Sequence, residues 1–292
     1  MKKRSVVGIL AAVICIAALA YIFLWPHSLY DIAWLGVGRG DPDIVRIERV
    51  ALGEEEFGTY DVTLSLSDSA VFLEGMRDAS ARFPVPGRME SITTDDYKIT
   101  LSNEYNARSE ILINSNGAVI QREPANRRWG EGTYLLYRKD AEKFMQICRE
   151  WTSPDGRYPG LGFLQEFFAI NKDGRAAFVD AQAPDGVYGA DAVEKLYSGI
   201  EPYMTEHGFT KVLMERSLYN LEYVCKQKGS DWRCWVIEVA PASEPGYYSY
   251  RIDVVEDVSD NSNNLWFTGN YSVDEDGLVD YFYIDLSGEI SK

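Results

Sequence analysis

The stretch "YVCKQKGSDWRCWV", Tyr223 to Val236, decides how the C-terminal half of this chain is read. Two cysteines stand around Gly229-Ser230, and such a pair between alternating residues is a two-residue hairpin signal. A type II′ turn there sets Lys228 opposite Asp231, Gln227 opposite Trp232, Lys226 opposite Arg233 and Cys225 opposite Cys234. The last is a non-hydrogen-bonded site, where Cα atoms approach to about 4.5 Å, inside the range a disulfide tolerates. The expectation is therefore a Cys225–Cys234 disulfide. A metal would need further ligands that this segment lacks, and the C-x-x-C spacing of oxidoreductases is absent. The register makes one demand: Leu221 and Tyr223 share a face with Cys225, but Trp235, Ile237 and Val239 point opposite Cys234, so a bulge or two partly buried faces is required.

On this reading, five strands complete the chain, around Leu221–Val224, Trp235–Val239, Tyr248–Val255, Leu265–Val273 and Leu278–Leu286. Before them, "FLQEFFAI" and "AAFVD" flank Asp173-Gly174 as another hairpin, and a helix begins at Asp191. That helix carries Val193, Leu196, Ile200 and Tyr203, with Gly208 as its stop. The N-terminal half has the same plan. "IVRIERV" and "TYDVTLSL" alternate as strands, and a helix capped by Ser67 or Asp68 bears Phe72, Met76, Ala79 and Phe83. The strands "YKITLS", "SEILIN", "GAVIQ" and "TYLLYR" follow, with Asn116-Gly117 as a turn. A second helix from Asp140 aligns Phe144, Ile147 and Trp151, with Cys148 beside them, reduced and shielded.

The fold class expected is α+β: an N-terminal transmembrane helix, then two antiparallel sheet-plus-helix modules. Residues 1–26 form the basic tip and anchor, 27–152 the first module, 153–160 a Pro/Gly-rich linker and 161–292 the second, acidic module. In its order of elements the second half resembles the cystatin-like and NTF2-like class. The first half is similar to small helix-plus-meander modules of secreted inhibitors and of envelope proteins of Gram-positive bacteria. The resemblance is one of element order, so it implies no site residue.

The anchor rests on Lys2, Lys3 and Arg4 followed by an uncharged run, residues 5–25, long enough to span a bilayer and ending at Trp25. Basic residues stay cytoplasmic, which places the C-terminal region outside. A cleaved signal peptide is the competing reading, since Ala18-Leu19-Ala20 fits a cleavage site, but the apolar run continues through Trp25. The chain of 292 residues carries a net charge of −16, and residues 160–292 hold ten Lys and Arg against twenty-three Asp and Glu. Such a surface repels nucleic acid, and no nucleic-acid partner is expected.

Catalytic patterns are sparse. There are two histidines, His27 at the membrane edge and His207, read as a cation at a helix C-terminus. No G-x-S-x-G, H-E-x-x-H, P-loop or dinucleotide fingerprint occurs, and no catalytic residue, metal ligand or cofactor is assigned. "VDEDGLVD", Val273 to Asp280, lacks the distal Glu of a calcium loop and reads as an acidic turn at Asp276-Gly277. The sequon at Asn270 falls in a strand. The aromatics Trp232, Trp235, Tyr247, Tyr248, Tyr250, Trp266, Tyr271, Tyr281 and Tyr283 read first as core, and any on an open sheet face as a contact for envelope protein, peptide or glycan. The functional expectation is a non-catalytic, membrane-anchored extracytoplasmic binding protein. The alternatives are a cell-surface hydrolase using acidic residues and a structural subunit of a membrane complex.

Overall fold

The structure is a computed structural model that describes residues 12–17, 27–34, 37, 40–52, 57–82, 96–114, 117–123, 133–168, 197–228, 233–257, 260–286 and 290–291. The fold is α+β. In chain order, strand β1 (His27–Ser28) leads into helix α1 (Leu29–Trp34), followed by β2 (Ile44–Leu52), β3 (Phe57–Thr63) and α2 (Leu66–Asp78). Then come β4 (Ser80–Arg82), β5 (Tyr97–Ser102), β6 (Arg108–Ile113), β7 (Ala118–Glu123), β8 (Thr133–Leu136), α3 (Arg138–Thr152) and α4 (Leu161–Phe167). A 3₁₀ turn (Glu201–Tyr203) precedes α5 (Glu206–Glu215) and α6 (Ser217–Lys228). Strands β9 (Arg233–Pro241), β10 (Tyr247–Asp257), β11 (Asp260–Val273), β12 (Val279–Asp285) and β13 (Ile290–Ser291) close the chain.

Two compact units result: Met1–Val45 with Leu66–Ile147, and Arg46–Ser65 with Cys148–Lys292. The first keeps the meander read from the sequence, with strands in the order β1-β4-β8-β7-β6-β5. Apolar alternation buries Tyr97, Ile99 and Leu101 on β5 and Ile111 and Ile113 on β6. From α2 and α3, Phe72 and Phe144 meet with ring centroids 5.4 Å apart. Helix α2 stops at Asp78, short of Phe83, because residues 80–82 leave it to pair as a strand with β8.

The second unit is not purely antiparallel and not contiguous in sequence. Strand β3 pairs in parallel with β9, with Thr59 opposite Val236 and Val62 opposite Val239, so residues 46–65, expected in the first module, group with the C-terminal half. The expected linker 153–160 lies inside this unit as well. Tyr158 is buried and its hydroxyl donates to the Thr63 carbonyl at 2.8 Å, while the Pro159 carbonyl accepts from the Tyr271 hydroxyl at 2.7 Å. Gly160 has φ +73°, and a Cβ there would fall 2.4 Å from the Tyr271 ring. Prolines and glycines here make a packed corner. Limited trypsin digestion is thus expected to spare Arg157 while nicking other exposed sites; a first stable fragment beginning at Tyr158 would refute the packing described.

Further differences follow from helical patterns read as strands. "FLQEFF" lies on or beside α4, where Leu161, Leu164 and Phe168 recur at helical spacing and are buried. Asp173-Gly174 and the helix start at Asp191 lie outside the described residues. Gly208 is in the first turn of α5, not its stop: Thr205 is the N-cap and its Oγ1 accepts from the Gly208 N–H at 3.0 Å. His207 therefore stands near the positive end of its helix, opposite to the placement expected. The acidic turn at Asp276-Gly277 is present, with Asp274 Oδ1 accepting from the amides of Asp276 and Leu278.

Among the described residues no helix is long and apolar enough to cross a membrane. Of the uncharged run 5–25, residues 12–17 are described; they are helical and exposed.

Candidate functional site

The first strand expected before Gly229-Ser230 is a helix, α6, from Ser217 to Lys228. Leu218, Leu221 and Cys225, at offsets of three and four, are all buried on one face of α6, so the first cysteine sits on a helix and not across a ladder from the second. Gly229, Ser230 and Trp232 lie outside the described residues. All four cysteines are free thiols, and the Cys225–Cys234 disulfide is absent. Strand β9 does carry a bulge, but against β10 and not in the hairpin for which a bulge or two partly buried faces was expected: the register slips between Asp253 and Val254, so that Cys234 pairs with Val254 while Val236 pairs with Asp253. Cys148 is fully buried, and burial pushes its thiol far up.

Cys234 is half-buried as a residue, but its thiol is enclosed, and burial, then the Asp253 charge, pushes its pKa up to about 12. At pH 9 such a thiol presents roughly 10³-fold less thiolate than an ordinary cysteine. In a Cys15→Ala chain, alkylation of native protein at pH 9 should therefore be slow at every thiol, and denaturation without reductant should expose three. A count of one would restore the disulfide.

The second unit's sheet, with described strands in the order β2-β3-β9-β10-β11-β12, has a face packed with buried aromatics and a face richer in charged and polar side chains. On one face, Phe163 and Phe167 of α4 pack on Phe282 with centroids 4.9 and 4.5 Å away, and Phe168 packs on Tyr250 at 5.8 Å. Tyr250, Phe267, Tyr271 and Phe282 are buried there. Tyr250 satisfies its hydroxyl on the Tyr283 carbonyl at 3.0 Å. Of the nine aromatics named from the sequence, Tyr250 and Tyr271 are core, Trp235, Tyr248, Trp266 and Tyr281 are partly exposed, Tyr247 and Tyr283 are exposed, and Trp232 lies outside the described residues.

The opposite face is polar. Alternation along each strand and the pairing registers put Glu48, Asp61, Glu238, Arg251, Thr268 and Asp285 in one cross-strand row. Six strands at about 4.8 Å make that row roughly 24 Å long. Arg46, next but one to Glu48 on β2, donates through Nε to Asp61 Oδ1 at 2.6 Å and through Nη2 to Asp61 Oδ2, and it reaches Glu238 Oε1 at 3.2 Å. The Asp61 hydrogen bonds, and then the nearby carboxylate charges, raise the guanidinium pKa further. Arg251 donates to both Asp253 carboxylate oxygens, at 2.9 and 3.4 Å, and stands 5.8 Å from the Trp266 ring centroid. These arginines are about half exposed, so the ion pairs fix side-chain direction more than they stabilise the fold. Tyr283, beside this row, is 49% exposed.

The arrangement offers the carboxylates of Glu48, Glu238, Asp253 and Asp285, two oriented guanidiniums and two aromatic rings on a broad surface, with Asp61 buried beneath Arg46. It provides no nucleophile hydrogen-bonded to a base, and among the described residues no group of three His, Cys, Asp or Glu is placed to hold a metal ion. Sequence reasoning named Trp266 and Tyr283 but missed Arg46, Asp61, Glu238 and Arg251. Alternation on β2, β3, β9 and β10 shows each of them as the polar member of a strand, but the parallel β3–β9 pairing that joins them leaves no local mark. No protein-family model matches the sequence, and none of the curated proteins compared with it matches either.

Proposed function

We propose that this is a single-pass membrane protein, anchored through residues 5–25 with its N-terminus cytoplasmic, whose extracytoplasmic region binds an envelope polypeptide without catalysing a reaction. The observation that carries the reading is the polar row on the open face of the second unit's sheet. Its excess of carboxylates suits basic side chains, its arginines are pre-oriented by Asp61 and Asp253, and Trp266 and Tyr283 add aromatic contact area at low entropic cost. Such a surface is suited to a partner spread over several strands. The anchor is supported by the basic tip Lys2-Lys3-Arg4, by the uncharged run, and by Val13, Ile14 and Ile16, which stand more than half exposed on helical residues 12–17.

The test is site-specific photo-crosslinking in the full chain in its native membrane. A photoreactive residue in place of Tyr283, on the open face, should give a discrete adduct that Arg251→Glu weakens, while one in place of Tyr223, equally exposed on α6, should give none. Equal adducts at both positions, or none at 283, would overturn the assignment of this face. Alkaline carbonate should leave the chain in the membrane, and external protease should remove the region after Trp25.

A further inference from the structure

The fold takes hold of the chain almost where the apolar run ends. His27 pairs with Ala81 and Ser28 with Ser80 in the β1–β4 ladder, and the Leu29 amide donates to the Ala79 carbonyl at 2.7 Å. Ser28 Oγ accepts from the Asp31 amide at 3.0 Å and so caps α1, whose Leu29, Ile32, Ala33 and Trp34 are all buried. A single residue, Pro26, separates Trp25 from His27 along the chain, a reach of at most about 7 Å over the two steps. We infer, on the anchored reading proposed above, that the first unit has no stalk and rests directly on the lipid headgroup layer of its own bilayer, through the β1–β4 edge and the ends of α2 and α3 beside it.

That edge is composed for the position. Strand β1 is the terminal strand of the first unit's described order and is two residues long, so it offers little free ladder to another polypeptide. The Ser80 amide donates to Asp140 Oδ2 at 3.0 Å and the Ser80 carbonyl accepts from the Tyr137 amide at 3.0 Å, which brings the start of α3 to the same place as the end of α2. Exposed cations cluster there: Arg77 on α2, and Arg138, Lys139 and Lys143 on α3. They are balanced by Asp41, Asp78, Asp140 and Glu142, with Arg138–Glu142 at 3.1 Å, Lys143–Asp78 at 3.9 Å and Arg77–Asp41 at 3.9 Å. In a chain of net charge −16, an edge whose four exposed cations, with Asp31 of α1 also counted, face five carboxylates is close to neutral and lessens the repulsion that an acidic surface meets at anionic headgroups, and its long cationic side chains reach lipid phosphate.

Helix α2 supplies a ruler. Its C-terminal end adjoins the tether, while Leu66, twelve residues from Asp78, stands about 18 Å away down the axis. Fluorophores are placed at Asp78→Cys, Lys139→Cys and Leu66→Cys, one at a time, in the full chain carrying Cys15→Ala and Cys234→Ala, reconstituted in vesicles with headgroup-spin-labelled lipid. Quenching at 78 and 139 should exceed that at 66 several-fold. A Gly/Ser insertion of about 12 residues between Pro26 and His27, with a root-mean-square span of about 19 Å, should abolish the difference. Equal quenching at the three sites in a chain that still resists carbonate extraction would overturn the headgroup contact and leave the anchor standing. Release of the chain by carbonate would overturn the anchor, and the contact with it.

Discussion

Replacing Phe282 by alanine is expected to remove about 3–5 kcal/mol from the second unit, the cost of truncating a fully buried aromatic whose surroundings relax only in part. Phe282 is 1% exposed and packs against Phe163 and Phe167 of α4 and against Tyr250, whose ring lies nearly parallel to it at 5.6 Å. It thus joins the residues before the polar row to the strand that ends it. Against a typical domain stability of about 5–15 kcal/mol, the loss is large enough to lower the urea midpoint sharply or to unfold the unit at 37 °C. A tryptophan or near-ultraviolet signal that reports this unit should shift, whereas Tyr283→Ala on the exposed face should cost under about 1 kcal/mol. Similar midpoints for the two variants would mean that the aromatic face has been misassigned.

Gly269 is expected to be nearly as intolerant, for a different reason. On β11 it pairs with Tyr250 on one side and Ile284 on the other, and a Cβ would lie 2.0 Å from the Tyr283 carbonyl oxygen and 2.4 Å from the Tyr250 hydroxyl. Those two atoms are hydrogen-bonded to each other, so a side chain at 269 both overpacks the sheet and strips a buried tyrosine of its partner. Overpacking costs about 1–3 kcal/mol and an orphaned buried hydroxyl a similar amount, so about 3–5 kcal/mol is expected together. Because the first side-chain carbon makes the clash, Gly269→Ala should already carry most of the loss and Gly269→Val little more. A cost below about 1 kcal/mol for the alanine variant, measured by denaturant titration, would refute the close approach.

The elements best read from the sequence are those in which one period dominates. Strand β10 alternates buried and more exposed residues from Ser249 to Val254, and α3 sets Phe144, Cys148 and Trp151 on one face with no competing pattern. Where two periods fit, local reading failed. Leu221, Tyr223 and Cys225 alternate as a strand would, yet Leu218, Leu221 and Cys225 also make a helical stripe; the helix forms, leaving Tyr223 48% exposed. The same ambiguity hid α4, and with it the packing partner of Phe282.

The sequence alone determined the α+β class and the separation of a charged surface from an apolar interior, since each depends on contrasts between near neighbours in the chain. Only the tertiary structure decided that residues 46–65 join the C-terminal half, that the Pro/Gly stretch at 153–160 is a packed corner, and that Arg46, Asp61, Glu238 and Arg251 share one face. The reason is physical: the β3–β9 pairing links segments about 180 residues apart, and a parallel ladder is specified by burial on a common face, not by any turn between its strands.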